Sequence, residues 1–251
     1  MTLKKKPRSV LAVVLAIFAS VTALAQRGGY RPMSSSGGNV PYDGKFVFVR
    51  VSYPWYGGRL APWAHDYPAG ERHFTRIFSE ITAARVHVDE SSIMNLSDPE
   101  LFKNPVIYMS EPGTWSMSDQ DVKNLRAYLL KGGFMILDDD RWNHWGNIDL
   151  QVSKVFPEAK WFELDGTSPV FHSFFEIDHP EKTPQYYDPP PPHFLAVYED
   201  NNPNKRMLIL CNYSTDISEF WEWSDTGYKP IAEDNEAYKL GINEFMYGII
   251  H

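Results

Sequence analysis

Tyr128-Leu129-Leu130-Lys131-Gly132-Gly133-Phe134-Met135-Ile136-Leu137-Asp138-Asp139-Asp140 is the stretch whose reading decides the fold of this chain. The leucines close a helix, and Gly132 fits the left-handed residue that ends one. The glycine pair turns the chain into a short apolar run of strand length, which finishes in three consecutive carboxylates. In an open α/β sheet, ligands and catalytic groups collect just past the carboxyl ends of the strands. The chemistry is therefore expected around Asp138, Asp139 and Asp140.

The same alternation continues on both sides. Lys45 to Val51 (KFVFVRV) has little polar alternation, the pattern of a strand covered on both faces. It runs into a loop at Tyr53-Pro54-Trp55-Tyr56-Gly57-Gly58. Gly70 to Ala84 places Phe74, Ile77, Phe78 and Ile81 at helical spacing, and Arg85 to Val88 is a short strand. Asp98-Pro99 opens a helical turn. Pro105 to Ser110 is a buried strand ending at Glu111-Pro112-Gly113. Ser118 and Asp121 form a capping pair for a helix with Val122, Leu125 and Leu129 on its apolar side. Asn147 to Phe156 is helical and Ala159 to Leu164 a strand. The proline-rich residues 178–193 are a loop. Phe194 to Tyr198 and Arg206 to Asn212 pair as a hairpin, and Glu233 to Ile250 is the last helix. Strands alternating with helices imply an α/β three-layer sandwich on a mostly parallel sheet, with antiparallel strands added at one edge.

The N-terminus differs from the rest. Lys4, Lys5, Lys6 and Arg8 precede an apolar run, Val10 to Ala25, that ends Ala23-Leu24-Ala25. The run holds 16 residues, below the roughly 20 needed to span a bilayer, so residues 1–25 read as a signal peptide. Export to the periplasm or the exterior is expected, with no stable membrane insertion after cleavage. Residues 26–43, rich in Gly and Ser, read as a linker, and 44–251 as one α/β domain. Removing the four leader cations leaves 20 Lys and Arg against 32 Asp and Glu, a net charge of −12. Such a field disfavours nucleic acid. The lone Cys211 cannot form an internal disulfide, and its apolar strand marks it as structural.

The acidic triplet and the aromatic loops hold the candidate chemistry. Neighbouring carboxylates repel unless a cation lies between them. Asp138 and Asp139 with His144 are therefore candidate ligands for a divalent metal. Side chains alternate along a strand, so at most two of the three acids can share a ligand. The plainer alternative is that they are solvated loop acids, one of them capping the next helix. No Gly-x-Ser-x-Gly elbow and no His-Glu-x-x-His pair occurs. His65 beside Asp66 is a possible carboxylate–imidazole pair. His172, flanked by aromatics, reads as packing. Trp63 and Trp142 stand in loops, where aromatic rings stack on sugars or anchor interfaces.

Several segments resemble one family. They are Tyr53 to Phe74, Leu101 to Tyr108, Tyr128 to Asp139, Pro169 to Phe175, Phe220-Trp221-Glu222-Trp223 and Gly241-Ile242-Asn243. Together they resemble domain-of-unknown-function family 4159 over about residues 44–251. That family is similar in architecture to class I glutamine amidotransferase-like proteins, a flavodoxin-like arrangement. The resemblance implies that the Gly-Gly strand leads into the site. Where amidotransferases carry a nucleophilic cysteine, this chain has Asp138. Where many family members show Gly-His-Gly after the Tyr108 strand, it has Glu111-Pro112-Gly113.

Two classes of function follow. The first is a non-catalytic binding or assembly module that engages a protein or glycan through Asp138, Asp139, Trp142, Glu111, His172, Tyr53, Trp63, His65 and Asp66. The second is a metal-assisted hydrolase acting on a carbohydrate or related small molecule. The missing nucleophile and missing strong metal motif favour the first.

Overall fold

The computed structural model describes residues 38–58, 60–141, 143–185 and 191–251. The leader, most of the linker and Trp142 lie outside the described residues. Among those described, seven strands form one sheet. They are β1 (Phe46–Ser52), β2 (Val86–Asn95), β3 (Val106–Ser110), β4 (Phe134–Asp140), β5 (Phe162–Glu163), β6 (His193–Tyr198) and β7 (Met207–Tyr213). Their order is β2-β1-β3-β4-β7-β6-β5. β1 to β4 and β7 run parallel, while β6 and β5 are added antiparallel at one edge.

Alternation along the strands builds two cores. Phe46, Phe48, Tyr108, Phe134 and Ile136 face helices α1 (Ala69–Ile81), α4 (Ile217–Trp223) and α5 (Ile231–Ile250). Val47, Val49, Val51, Ile107, Met109, Met135 and Leu137 face α2 (Asp119–Leu130) and α3 (Trp145–Val155). The sheet is the middle of three layers, and the absence of a polar stripe in β1 follows from cover on both sides. Phe48, Phe74 and Phe245 sit with ring centroids 4.7 to 5.7 Å apart. Each such ring contributes about 1.5–3 kcal/mol by leaving water. None of the described helices is long and apolar enough to cross a membrane.

The deciding stretch folds for two separate reasons. Gly132 has φ +116°, a conformation side chains resist. At Gly133 an added Cβ would fall 2.3 Å from the Tyr128 ring. That ring is buried and its hydroxyl donates to the Asn104 carbonyl at 2.9 Å, so it cannot yield. Ser118 and Asp121 form the expected capping box of α2.

Three elements differ from expectation. β2 runs on to Asn95 because Asp89, at φ +63°, shifts the register from Phe46↔Val86 to Phe48↔Ser91 and lets pairing resume. β5 shrinks to two residues at the sheet edge. α4 appears where the sequence reading placed no element. Its start is fixed by Asp216, whose side chain accepts from the Glu219 amide at 3.0 Å.

Candidate functional site

The order β2-β1-β3 reverses direction at β1, so the carboxyl ends of β1 and β3 flank the crevice where such sheets take ligands. The loop after β1 is fixed from beneath by Arg50. This is the one charge inside β1, and its side chain is fully buried. It pairs with Glu71 of α1 and donates to the carbonyls of Trp63 at 3.0 Å and His65 at 2.8 Å. The Tyr108 ring lies 5.2 Å from the guanidinium. Burial is the largest single influence and works against the charge, but Glu71, Tyr108 and Asp66 together outweigh it and hold the Arg50 pKa above its usual value.

The pinned loop delivers His65 and Asp66. His65 Nδ1 lies 3.2 Å from Asp139 Oδ2, 3.5 Å from Asp66 Oδ1 and 3.6 Å from Glu111 Oε1. The hydrogen bond to Asp139 leads in pushing the imidazole pKa up to about 9, against a smaller opposing effect of burial. Three carboxylate bearers of this cluster hold positive φ: Asp66 at +61°, Glu111 at +47° and Asp139 at +56°. Asp tolerates that region better than most residues. Such conformations cost of order 1–3 kcal/mol and gather at functional sites. At Asp139 the turn coincides with a break in the β4–β7 register between Leu137 and Asp140.

The three consecutive acids therefore do not act together. All are buried inside β4, which overturns the reading of solvated loop acids. Asp139 turns to His65. Asp140 faces His144 at 3.5 Å, and burial raises its pKa. Asp138 is a structural clamp. Its Oδ2 accepts from Tyr108 Oη at 2.5 Å and from the amides of Ile217 at 3.1 Å and Ser218 at 3.2 Å, while Oδ1 accepts from Asn212 Nδ2 at 3.1 Å. Burial pushes its pKa up to about 6. By accepting the first amides of α4, Asp138 ties the helix start capped by Asp216 to the end of β4.

α4 completes the cluster. Asp216, Ser218 and Glu219 are buried at its amino end. Ser218 Oγ donates to Asp66 Oδ2 at 2.6 Å, tying the β1 loop to the helix. Asp66 Oδ1 is buried and accepts no hydrogen bond. Burial holds Asp216 well above the carboxylate range. Half-buried Glu222 is pushed up to about 7 by burial and by the charge of Asp66.

Two groups of side chains among the described residues could hold an ion. One is His65, Asp66, Asp216 and Glu219; the other is His65, Glu111 and Asp139; in each, the ligand atoms lie within 4.8 Å of one another. Neither includes Asp138 or His144, so the trio Asp138, Asp139 and His144 is not brought to one point. His172 also stands apart, bonded to Glu176 at 2.6 Å and to the Gly166 carbonyl at 2.6 Å. Trp63 contributes its carbonyl to Arg50. Tyr53 donates to the Glu111 carbonyl at 2.6 Å, steadying that loop. Of the expected residues, His65, Asp66, Glu111 and Asp139 converge.

The family described as Domain of unknown function (DUF4159) matches residues 47–249, a span that includes every member of both groups. The chain belongs to the DUF4159 family. No curated protein matches this DUF4159 chain.

The sequence reading passed over Arg50, Asp216, Ser218 and Glu219. Two signals for them existed. Arg50 is a lone charge in a strand covered on both faces, which demands a buried partner. Asp216-Ile217-Ser218-Glu219 has the spacing of a helix start, an acceptor followed three residues later by an acid. Nothing in the linear order links that start to His65, 151 positions before Asp216.

Proposed function

We propose that the crevice of this DUF4159 domain binds one divalent cation between His65, Asp66, Asp216 and Glu219, and that the protein is a metal-assisted hydrolase acting on a carbohydrate or related small molecule. The observation that carries this reading is the convergence of four ligand atoms, one from each residue, within 4.8 Å of one another, at a place where Asp66 Oδ1 is buried and accepts no hydrogen bond. Burying such an oxygen unpaired costs free energy that a bound cation would recover. Three carboxylates and one imidazole suit manganese or zinc, ahead of magnesium and calcium. A bound cation lowers the pKa of a coordinated water. His65, Asp66, Asp216 and Glu219 would hold the ion, which would supply a water acidic enough to give up a proton during hydrolysis. Glu222, beside Asp66 and half-exposed, is placed to carry the proton.

The test is thermal unfolding and calorimetric titration with manganese, zinc, magnesium and calcium chlorides. At about 100 times its Kd, a cation bound only by the folded state adds about 2.7 kcal/mol of stability. That gain should appear with stoichiometry near one, and should vanish in Asp216→Asn and His65→Gln. Wild-type melting that ignores all four metals would overturn the cation reading. A second reading, a non-catalytic module for a glycan or protein, is favoured by the loop after β1, where Tyr56 is 95% exposed and Trp55 stands beside it. Loss of glycan retention in Tyr56→Ala with unchanged metal response would support that alternative.

The leader supports export, with cleavage after Ala25. Intact-mass measurement of the native protein should show Gln26 at the N-terminus. Full-length chain in the membrane fraction would overturn export of a cleaved form.

A further inference from the structure

A second recess lies between α1 and the first half of α5, clear of the acidic cluster. It is a cavity of about 660 Å³ walled by Ile77, Ile81, Phe175, Ile231 and Ile242. Small-molecule sites typically run about 300–1,000 Å³ with mostly apolar walls and a few placed polar groups. Ile81 is 41% exposed and Ile231 74% exposed, so the apolar surface opens to solvent.

The polar end of the cavity is unusual. Asp234, in the first turn of α5, lines it and is only 4% exposed. Its Oδ1 is buried and accepts no hydrogen bond, and its carboxylate makes no ion pair among the described residues. The lysine that lines the same cavity, Lys239, is already held by Glu236 at 2.7 Å. Ser224 Oγ donates to the Trp221 carbonyl at 3.0 Å. Its 2.8 Å contact with Tyr238 Oη must then take the tyrosine proton, since the serine has one hydrogen to give. The polar end thus presents the unpaired Asp234 carboxylate oxygen, while the hydroxyl protons of Ser224 and Tyr238 are already committed. A buried carboxylate without a donor is costly, and the partner it fits is a cation with an apolar body.

We propose that this cavity binds a small amphipathic amine, its apolar part against the isoleucines and Phe175 and its ammonium on Asp234. The residues that line this cavity and those of the two candidate ion clusters have no member in common. The amine site therefore stands or falls independently of cation binding in the crevice.

The test is calorimetric titration of the full chain with three probes of one shape: 4-phenylbutylamine, 4-phenylbutanol and 4-phenylbutyrate. The amine should bind saturably with one site, and the carboxylate should bind about tenfold more weakly or not at all, the order of effect expected of one partly buried charge pair. Asp234→Asn should weaken the amine by about tenfold and leave the alcohol within about twofold. Ala232→Trp, at an exposed position on the rim, should block amine and alcohol alike while far-UV circular dichroism stays unchanged. Absence of saturable amine binding, equal binding of amine and carboxylate, or amine binding untouched by both substitutions would overturn the proposal.

Discussion

Replacing Asp138 by Ala and by Asn separates a structural clamp from a metal ligand. In the native fold its carboxylate receives Tyr108 Oη, Asn212 Nδ2 and the amides of Ile217 and Ser218, all buried. Ala removes every acceptor. A buried donor left unsatisfied costs about 1–3 kcal/mol. Four of them would sum to several kcal/mol, offset in part because a desolvated carboxylate also disappears. A net loss of about 3–5 kcal/mol is expected, the range for removing one member of a buried polar set. Against a typical total of about 5–15 kcal/mol, that is a large share. Asn behaves differently. Its oxygen can take the place of Oδ2 and keep three of the four donors. Its amide then faces Asn212, whose Oδ1 has no hydrogen bond in the native fold. A flip of the Asn212 amide turns that oxygen toward the new donor. Glu244, whose pKa burial raises, can donate to the same oxygen when it carries its proton. Asp138→Asn should therefore stay within about 1.5 kcal/mol of wild type. The assay is urea unfolding followed by tryptophan fluorescence, comparing midpoints at unchanged slope. An Ala variant within about 1 kcal/mol of wild type, or an Asn variant as weak as Ala, would refute the clamp.

Three further outcomes are expected. Glu244 is fully buried and burial raises its pKa well above the ordinary value, so the folded state holds a proton that the unfolded state has lost above about pH 4.3. Its contribution is therefore greatest at low pH and falls by up to about 1.4 kcal/mol per pH unit as pH rises toward the folded pKa. Glu244→Gln should become progressively more stable than wild type as pH rises from 5 toward the folded-state pKa, read as the difference in urea midpoints; a constant difference would contradict this. Cys211 is buried and burial raises its thiol pKa, so a thiol reagent should react only after denaturation, and Cys211→Ser should cost about 1–3 kcal/mol. Gly133→Ala should cost about 1–3 kcal/mol, because the new methyl meets the immobile Tyr128 ring; a neutral result in thermal unfolding would mean that ring can move.

Much of the architecture was written locally. Strand-length apolar runs, a helix start at Ser118, a left-handed stop at Gly132 and a hairpin around residues 200–204 each depend on neighbours within a few positions. Those patterns alone determined the α/β class and the carboxyl edge of β4 as the place to look. They ended β2 early, because its extension depends on register across strands, and they left out α4, although its Asp216 cap is a local signal.

The site divides along the same line. Sequence alone determined that His65 and Asp66 stand together, that Glu111 ends β3, and that Asp138 to Asp140 end β4. Only the tertiary structure decided which of them meet. A left-handed turn at Asp139 sends one acid to His65, strand alternation sends Asp138 into the core, and Asp140 goes to the opposite face. The same packing brings Asp216 and Glu219 from the far end of the chain to that point. Local backbone chemistry fixes the elements, whereas convergence of charges depends on burial and register, which no short window of sequence contains.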